Sequence, residues 1–167
     1  VRAYTGNWDM VKKANRSEWY YGAEIIYNTV GSTAFRKNIA TEAYAPFVSR
    51  YPDGSTWFMA GIYASNKFNI HEKLTLTSGL RYSYGTLTAD FDTSFIKFPY
   101  SEADIRDGAL TGNAGLVYRP AETWQLNANI STGFRMPNID DVGKLFESAP
   151  GNITVPNPNL HSEYAWN

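Results

Sequence analysis

The stretch WQLNANISTGF, Trp124 to Phe134, alternates almost without a break. Trp124, Leu126, Ala128, Ile130 and Phe134 share one face at a period of two, and Gln125, Asn127, Asn129 and Ser131 share the other. That pattern is a β-strand with one dry face and one wet face. Its length matches the roughly 9 to 11 residues that a tilted strand needs to cross a hydrocarbon layer. Strands of water-soluble domains are commonly about half as long.

The same parity recurs toward the N-terminus. Leu110, Ala114, Leu116 and Tyr118 oppose Thr111, Asn113 and Arg119, and Leu74, Leu76, Leu80, Tyr82 and Tyr84 oppose Thr75, Thr77, Arg81 and Ser83. Phe58, Ala60, Ile62, Ala64 and Phe68 oppose Ser65, Lys67 and Asn69, with Trp57 and Tyr63 as large exceptions on the polar side. Trp19, Tyr21, Ala23, Ile25 and Tyr27 oppose Glu18, Glu24 and Asn28, and a weaker first strand reads from Tyr4 to Met10. Leu160, Tyr164 and Trp166 begin a further one.

The connections are of two kinds. Short polar turns are predicted at 12–16, 70–73 and 119–123, and long irregular stretches at 33–55, 89–107 and 135–159. Short turns at one end and long loops at the other give an all-β, antiparallel up-and-down meander of about six long strands, the pattern of a transmembrane barrel.

Composition bounds the alternatives. The net charge of -1 over 167 residues gives no electrostatic hold on nucleic acid. There is no cysteine, hence neither a disulfide nor a thiolate metal site. No window approaches the roughly 18 apolar residues of a membrane helix. Charged residues make up 19% of the chain, below the roughly 25% of soluble domains, while aromatics reach 16%.

A soluble sandwich alternates too, so the solvent of the dry face has to be argued. None of the apolar-face residues named above is charged, and the opposite face is mostly Asn, Thr, Ser and Gly with a few charges, as suits a wet lumen. Trp8, Trp19, Trp124, Phe68 and Tyr118 are expected beside the short turns, and Tyr27, Phe58, Tyr82, Tyr84 and Phe134 at the opposite strand ends. Two aromatic bands around an aliphatic middle are what a bilayer selects, because these rings are favoured where hydrocarbon meets headgroups.

After Phe134, Pro137 ends the strand for want of an N–H. Asn138 can cap a short helix with Asp140 and Asp141 in its first turn and Ile139, Val142, Leu145 and Phe146 on one face. Metal binding by the acidic pair is the competing reading.

These residues also carry a resemblance. Phe134-Arg135-Met136-Pro137 with Asp141, followed by Asn157-Pro158-Asn159-Leu160 and Glu163, resembles the paired "FRxP … NPxLxxE" signature of TonB-dependent receptors, the ligand-gated importers of Gram-negative outer membranes. The segments SGLRYSYG (78–85) and LVYRPAETWQLNANISTGFR (116–135) resemble barrel strands of that family.

The resemblance implies that residues 1–167 form a single segment, from the C-terminal half, of a barrel of about 22 strands, with the plug domain and remaining strands outside it. It implies as partners membrane lipid, the TonB energy-coupling complex acting through the plug, and a small-molecule or oligosaccharide ligand such as a ferric siderophore or a cobalamin. Neither a cofactor nor an enzymatic role is implied. Ligand contacts are expected from the lumen arginines Arg81, Arg119 and Arg135 and from loop aromatics, namely Tyr44, Phe47, Tyr51, Phe95, Phe98 and Tyr100. The arginines can equally pair with plug or wall carboxylates such as Glu24.

Heme receptors of the family carry a ligand histidine between the signature halves. Residues 139–156 hold none, and His161 follows on the lumen side, so heme is the weaker reading; His71 reads as a turn residue. Two other classes are open: a soluble β-rich carbohydrate-binding module, and an enzyme, for which neither histidine has a nucleophile in its vicinity.

Overall fold

Long antiparallel ladders organise the computed structural model, which describes residues 1–97 and 99–167. Seven strands pair in the order β1 (Arg2–Ala14), β2 (Ser17–Val30), β5 (Ser55–His71), β6 (Leu74–Asp90), β7 (Glu102–Ala121), β8 (Trp124–Arg135) and β11 (Glu163–Trp166). Two small hairpins, β3 (Ala34–Lys37) with β4 (Tyr44–Phe47) and β9 (Phe146–Ala149) with β10 (Asn152–Thr154), stand in the long loops, as does helix α1 (Ile139–Gly143). The predicted meander is therefore present, with β11 as its seventh strand, and its three short turns lie at one end of the sheet.

The outer face is the apolar one. Ile62, Leu80, Leu110 and Ile130 are 61%, 62%, 59% and 58% exposed, and Leu116 and Leu126 are exposed as well. The register joins them into one surface: Ala23 faces Ile62, Ile62 faces Tyr82, and Tyr82 faces Leu110. A continuous uncharged apolar sheet face of this kind is unfavourable against water and suited to acyl chains.

The strands run further than their alternation suggests. β6 continues to Asp90 and β7 begins at Glu102, so the connection shrinks from 89–107 to 91–101. The reason is a reversal of faces. Up to Tyr84 the even positions of β6 are the apolar ones; beyond it Thr86 and Thr88 point outward, while Leu87 and Ala89 are buried on the inner face. On β7, Asp104 and Arg106 are exposed and bonded to each other at 2.8 and 3.0 Å, and Ala103 is buried. Tyr82 and Tyr84 thus mark the end of the apolar outer stretch, not the end of the strand.

Likewise β1 runs on through Val11, Lys12 and Lys13 to Ala14. This leaves Trp8 in the middle of the strand, opposite Ala23, instead of beside the turn. Trp19 and Trp124 do lie next to turns.

The core gathers at the loop end, on the inner face. Leu87, Ala89, Phe91, Ala103, Met136, Ile139 and Val142 form it, with Trp57, Met59 and Ile105 packed against it. Trp57 faces the lumen because it belongs to this core, and its indole Nε1 donates to Pro137 O at 3.1 Å. Tyr63, the other aromatic exception, donates its hydroxyl to Asp9 across Gly22, just as Arg81 reaches Glu24 across Gly61. A Cβ at Gly22 or Gly61 would collide with these side chains, so each glycine is a saddle that lets a long polar group lie flat on the wall.

Candidate functional site

Loop 31–54, loop 91–101 and the segment around α1 enclose a chamber of about 260 Å³. Phe35, Phe47, Tyr51, Phe91, Phe95 and Leu145 line it. The β3–β4 hairpin brings Phe47 to Phe95, with ring centroids 5.7 Å apart, and the Arg36 guanidinium lies 4.8 Å above the Phe47 ring. Each of its two carboxylates holds a loop backbone N–H through one oxygen. Asp53 accepts from Ser32 N at 2.8 Å. Asp92 accepts from Ser94 N and Oγ at 2.9 and 2.5 Å, and these bonds hold its carboxyl below the ordinary value. What remains is an aromatic lining that suits apolar or ring-bearing matter.

The wall of the chamber is tied to α1. Asn138 caps the helix as a capping box: its side chain accepts from Asp141 N and the Asp141 carboxylate accepts from Asn138 N, both at 3.0 Å. Asp140 accepts the Tyr51 hydroxyl at 2.7 Å and Lys144 Nζ at 3.2 Å. The Tyr51 hydroxyl bond, then Lys144, keeps the Asp140 carboxyl low, and the same bond raises the Tyr51 phenol. The acidic pair is thus used in helix capping and in anchoring a loop. Among the described residues no cluster of His, Asp and Glu converges as a metal ion needs.

Below the chamber the inner face carries cations at three levels. Arg135, at the end of β8, meets Asp141 at 2.6 Å and Glu163 at 3.1 Å. The signature residues quoted above are therefore in contact: they close the base of the excursion between β8 and β11. Arg81, midway, pairs with Glu24 and donates to Ser83 Oγ at 2.9 Å. Arg119, at the turn end, lines a polar groove with Arg16 and Lys67 and makes no ion pair among the described residues.

The residues singled out from sequence thus separate. Tyr51 is in the chamber wall. Tyr100 packs edge-on to Phe91 at 5.9 Å and donates to Pro156 O. Tyr44 stands outside the lining, 69% exposed, under Lys37. His161 is exposed in a cleft with Arg135 and Glu163, and His71 is at the turn end. Phe98 lies outside the described residues.

Sequence reasoning missed Phe35, Arg36 and Arg50, whose guanidinium sits 5.7 Å from the Tyr51 ring and 5.3 Å from that of Phe146. It also missed both hairpins. The Pro150-Gly151 turn of β9–β10, with Gly151 at φ 80, was a usable signal; β3–β4 offers only four-residue strands.

The family model described as TonB dependent receptor-like, beta-barrel matches residues 2–167. No curated protein sequence matches the chain. Among solved structures the fold is similar to the copper transporter OprC, at 14% identity and a TM-score of 0.73 over 84% of this chain and 22% of that one. It is also similar to a double mutant of the Serratia marcescens hemophore receptor HasR in complex with its hemophore HasA and heme, at 18% identity and a TM-score of 0.69 over 98% and 27%. The chain spans about a quarter of the length of these two proteins.

Proposed function

The chain belongs to the TonB-dependent receptors as a piece of their β-barrel, and from that premise we propose that it forms wall and ligand-facing loops of an importer in a Gram-negative outer membrane. Energy comes from the TonB complex acting through a plug domain. The observation that carries this is the outer face: Leu80 and Ile130 are 62% and 58% exposed on a surface with no charged side chain between its aromatic ends. Charge at such depth costs about 2–4 kcal/mol in a membrane barrel, so its absence over six long strands is what lipid contact demands. A soluble carbohydrate-binding module would need Leu126 and Ile130 sealed in an interior, and they face outward.

The ligand is a scarce compound too large for passive pores, of the class of a ferric siderophore, a cobalamin or an oligosaccharide. Support comes from the aromatic chamber at the loop end, whose rings offer faces for stacking. Two tests address the proposal. With single cysteines at Ile130 and Asn129 of the full receptor in membranes, a lipid-soluble reagent should modify the first and a water-soluble one the second; the reverse labelling ends the barrel reading. Uptake of labelled candidate ligands should stop when TonB is removed, and uptake independent of TonB refutes energy-coupled import.

A further inference from the structure

The three levels of lumenal cations are not equivalent. At the loop end and midway each arginine has a carboxylate: Arg135 has Asp141 and Glu163, and Arg81 has Glu24. At the turn end Arg16, Lys67 and Arg119 converge on one groove of about 590 Å³ and none of them is ion-paired among the described residues. The neighbouring carboxylates offset them only in part: three cations face Glu72 in the lining and Glu18 opposite Lys67, and Glu72 makes no ion pair among the described residues. Glu18, across from Lys67 in register, takes the Tyr20 hydroxyl at 2.6 Å, and Lys73 donates to Pro120 O at 2.9 Å.

Neutral donors point the same way. Thr75 donates to the Asn69 carbonyl oxygen at 3.0 Å, which commits that oxygen and leaves the amide NH2 for a partner in the groove.

We propose that this groove of Arg16, Lys67, Arg119 and Asn69 is a binding site for a ligand bearing phosphate or carboxylate groups. Two guanidinium forks and an ammonium on one concave wall concentrate anions there, and the forks match planar or tetrahedral oxyanions two oxygens at a time. The volume suits a polyvalent anion better than a single ion. As a step in import the site rests on the receptor reading above, and it lies at the opposite end of the wall from the aromatic chamber. A ligand with a ring-bearing part and an anionic part would meet the two in turn.

The test uses the full receptor purified in nanodiscs, titrated calorimetrically with pyrophosphate and with citrate. At least one anion should bind, with affinity that falls as salt is raised, and the Lys67→Gln/Arg119→Gln variant should weaken it by about tenfold or more. The charge-keeping pair Lys67→Arg/Arg119→Lys should keep affinity within about threefold, and Arg106→Gln on the outer face should change nothing. Binding that survives the neutral pair unchanged, or no binding of either anion by the native receptor, overturns the proposal. So does carbodiimide coupling of Lys67 to a carboxylate elsewhere in the receptor, which would make the cations an internal protein contact. Because no transport is measured, this site and the importer reading stand or fall separately.

Discussion

Two lengths of the same strands, the lower wall and the loop-end cap, place their apolar residues on opposite faces. Along β6, Leu76, Leu80 and Tyr82 point out of the sheet and Thr77 and Arg81 point in; past Gly85 the order inverts, with Thr86 and Thr88 outward and Leu87 and Ala89 buried inside. The backbone ladder does not change across the inversion, since Gly85 faces Asp107 and Leu87 faces Ile105 in an unbroken register. What changes is the surroundings. On the proposed placement in an outer membrane, the medium outside the wall is apolar and the lumen wet, whereas the cap has water outside and an interior filled by α1 and the loops. Parity records which solvent each height of the strand meets.

The sharpest way to break this contrast is inside the cap. Leu87→Ala at this 0% exposed position should cost about 2–5 kcal/mol, while Thr88→Ala beside it, which loses only an exposed hydroxyl bond to Thr56 Oγ1 at 2.6 Å, should cost no more than about 0.5–1 kcal/mol. Urea unfolding and limited proteolysis of the loops would read both, and equal sensitivity would mean that the cap has no core.

The matching test on the wall is Ile130→Arg, expected to cost about 2–4 kcal/mol for folding into lipid vesicles, with Asn127→Arg on the lumen side costing little. A smaller effect, about 1–3 kcal/mol, is expected for Gly61→Leu, which displaces Arg81 from Glu24, whereas Gly133→Ala meets only Ala165 Cβ at 3.9 Å and should be silent. At the joint between wall and cap, Trp57→Phe removes the bond to Pro137 O and should cost about 0.5–1.5 kcal/mol, visible as faster proteolysis around α1.

The smallest effect is on the cap's surface. Asp140 is lowered and Tyr51 raised by the same bond. The contribution of Asp140 is complete above the ordinary carboxyl value of 3.8 and is lost as pH falls through its lower folded value. That of Tyr51 is complete below 10.0 and is lost as pH rises through its raised folded value. Absorbance titration of the native receptor against Tyr51→Phe should show this phenol ionising later than 10.0; earlier ionisation would mean that the loop is not anchored to α1.

Six of the wall strands, their hairpins and their dry face were legible because the period of two is strict wherever one side meets a uniform apolar medium. The same strictness misled at the upper ends. A reading that follows one parity stops at Tyr84, where Leu87 and Ala89 continue the strand on the other. Helix α1 was legible through Asn138 and Asp141, since a capping box is local chemistry. The chamber was not: Tyr51 reaches Asp140 from 89 positions away, and Phe47 meets Phe95 only because a hairpin with four-residue strands folds back. The cations show the same limit. Sequence put Arg81, Arg119 and Arg135 on one face, but only the folded arrangement distinguishes the two that have carboxylates from the one that has none among the described residues.

The clasp of Arg135 on Asp141 and Glu163 joins positions 28 apart and seats β11 against β8. Once a chain is pinned at its base, lengthening what hangs from it adds ring-closure entropy only logarithmically, about 0.6 kcal/mol per doubling. The exposed β9–β10 hairpin between Glu147 and Val155 is therefore a graft point, where a receptor can exchange one external ornament for a shorter or longer one and leave the staves of its barrel undisturbed.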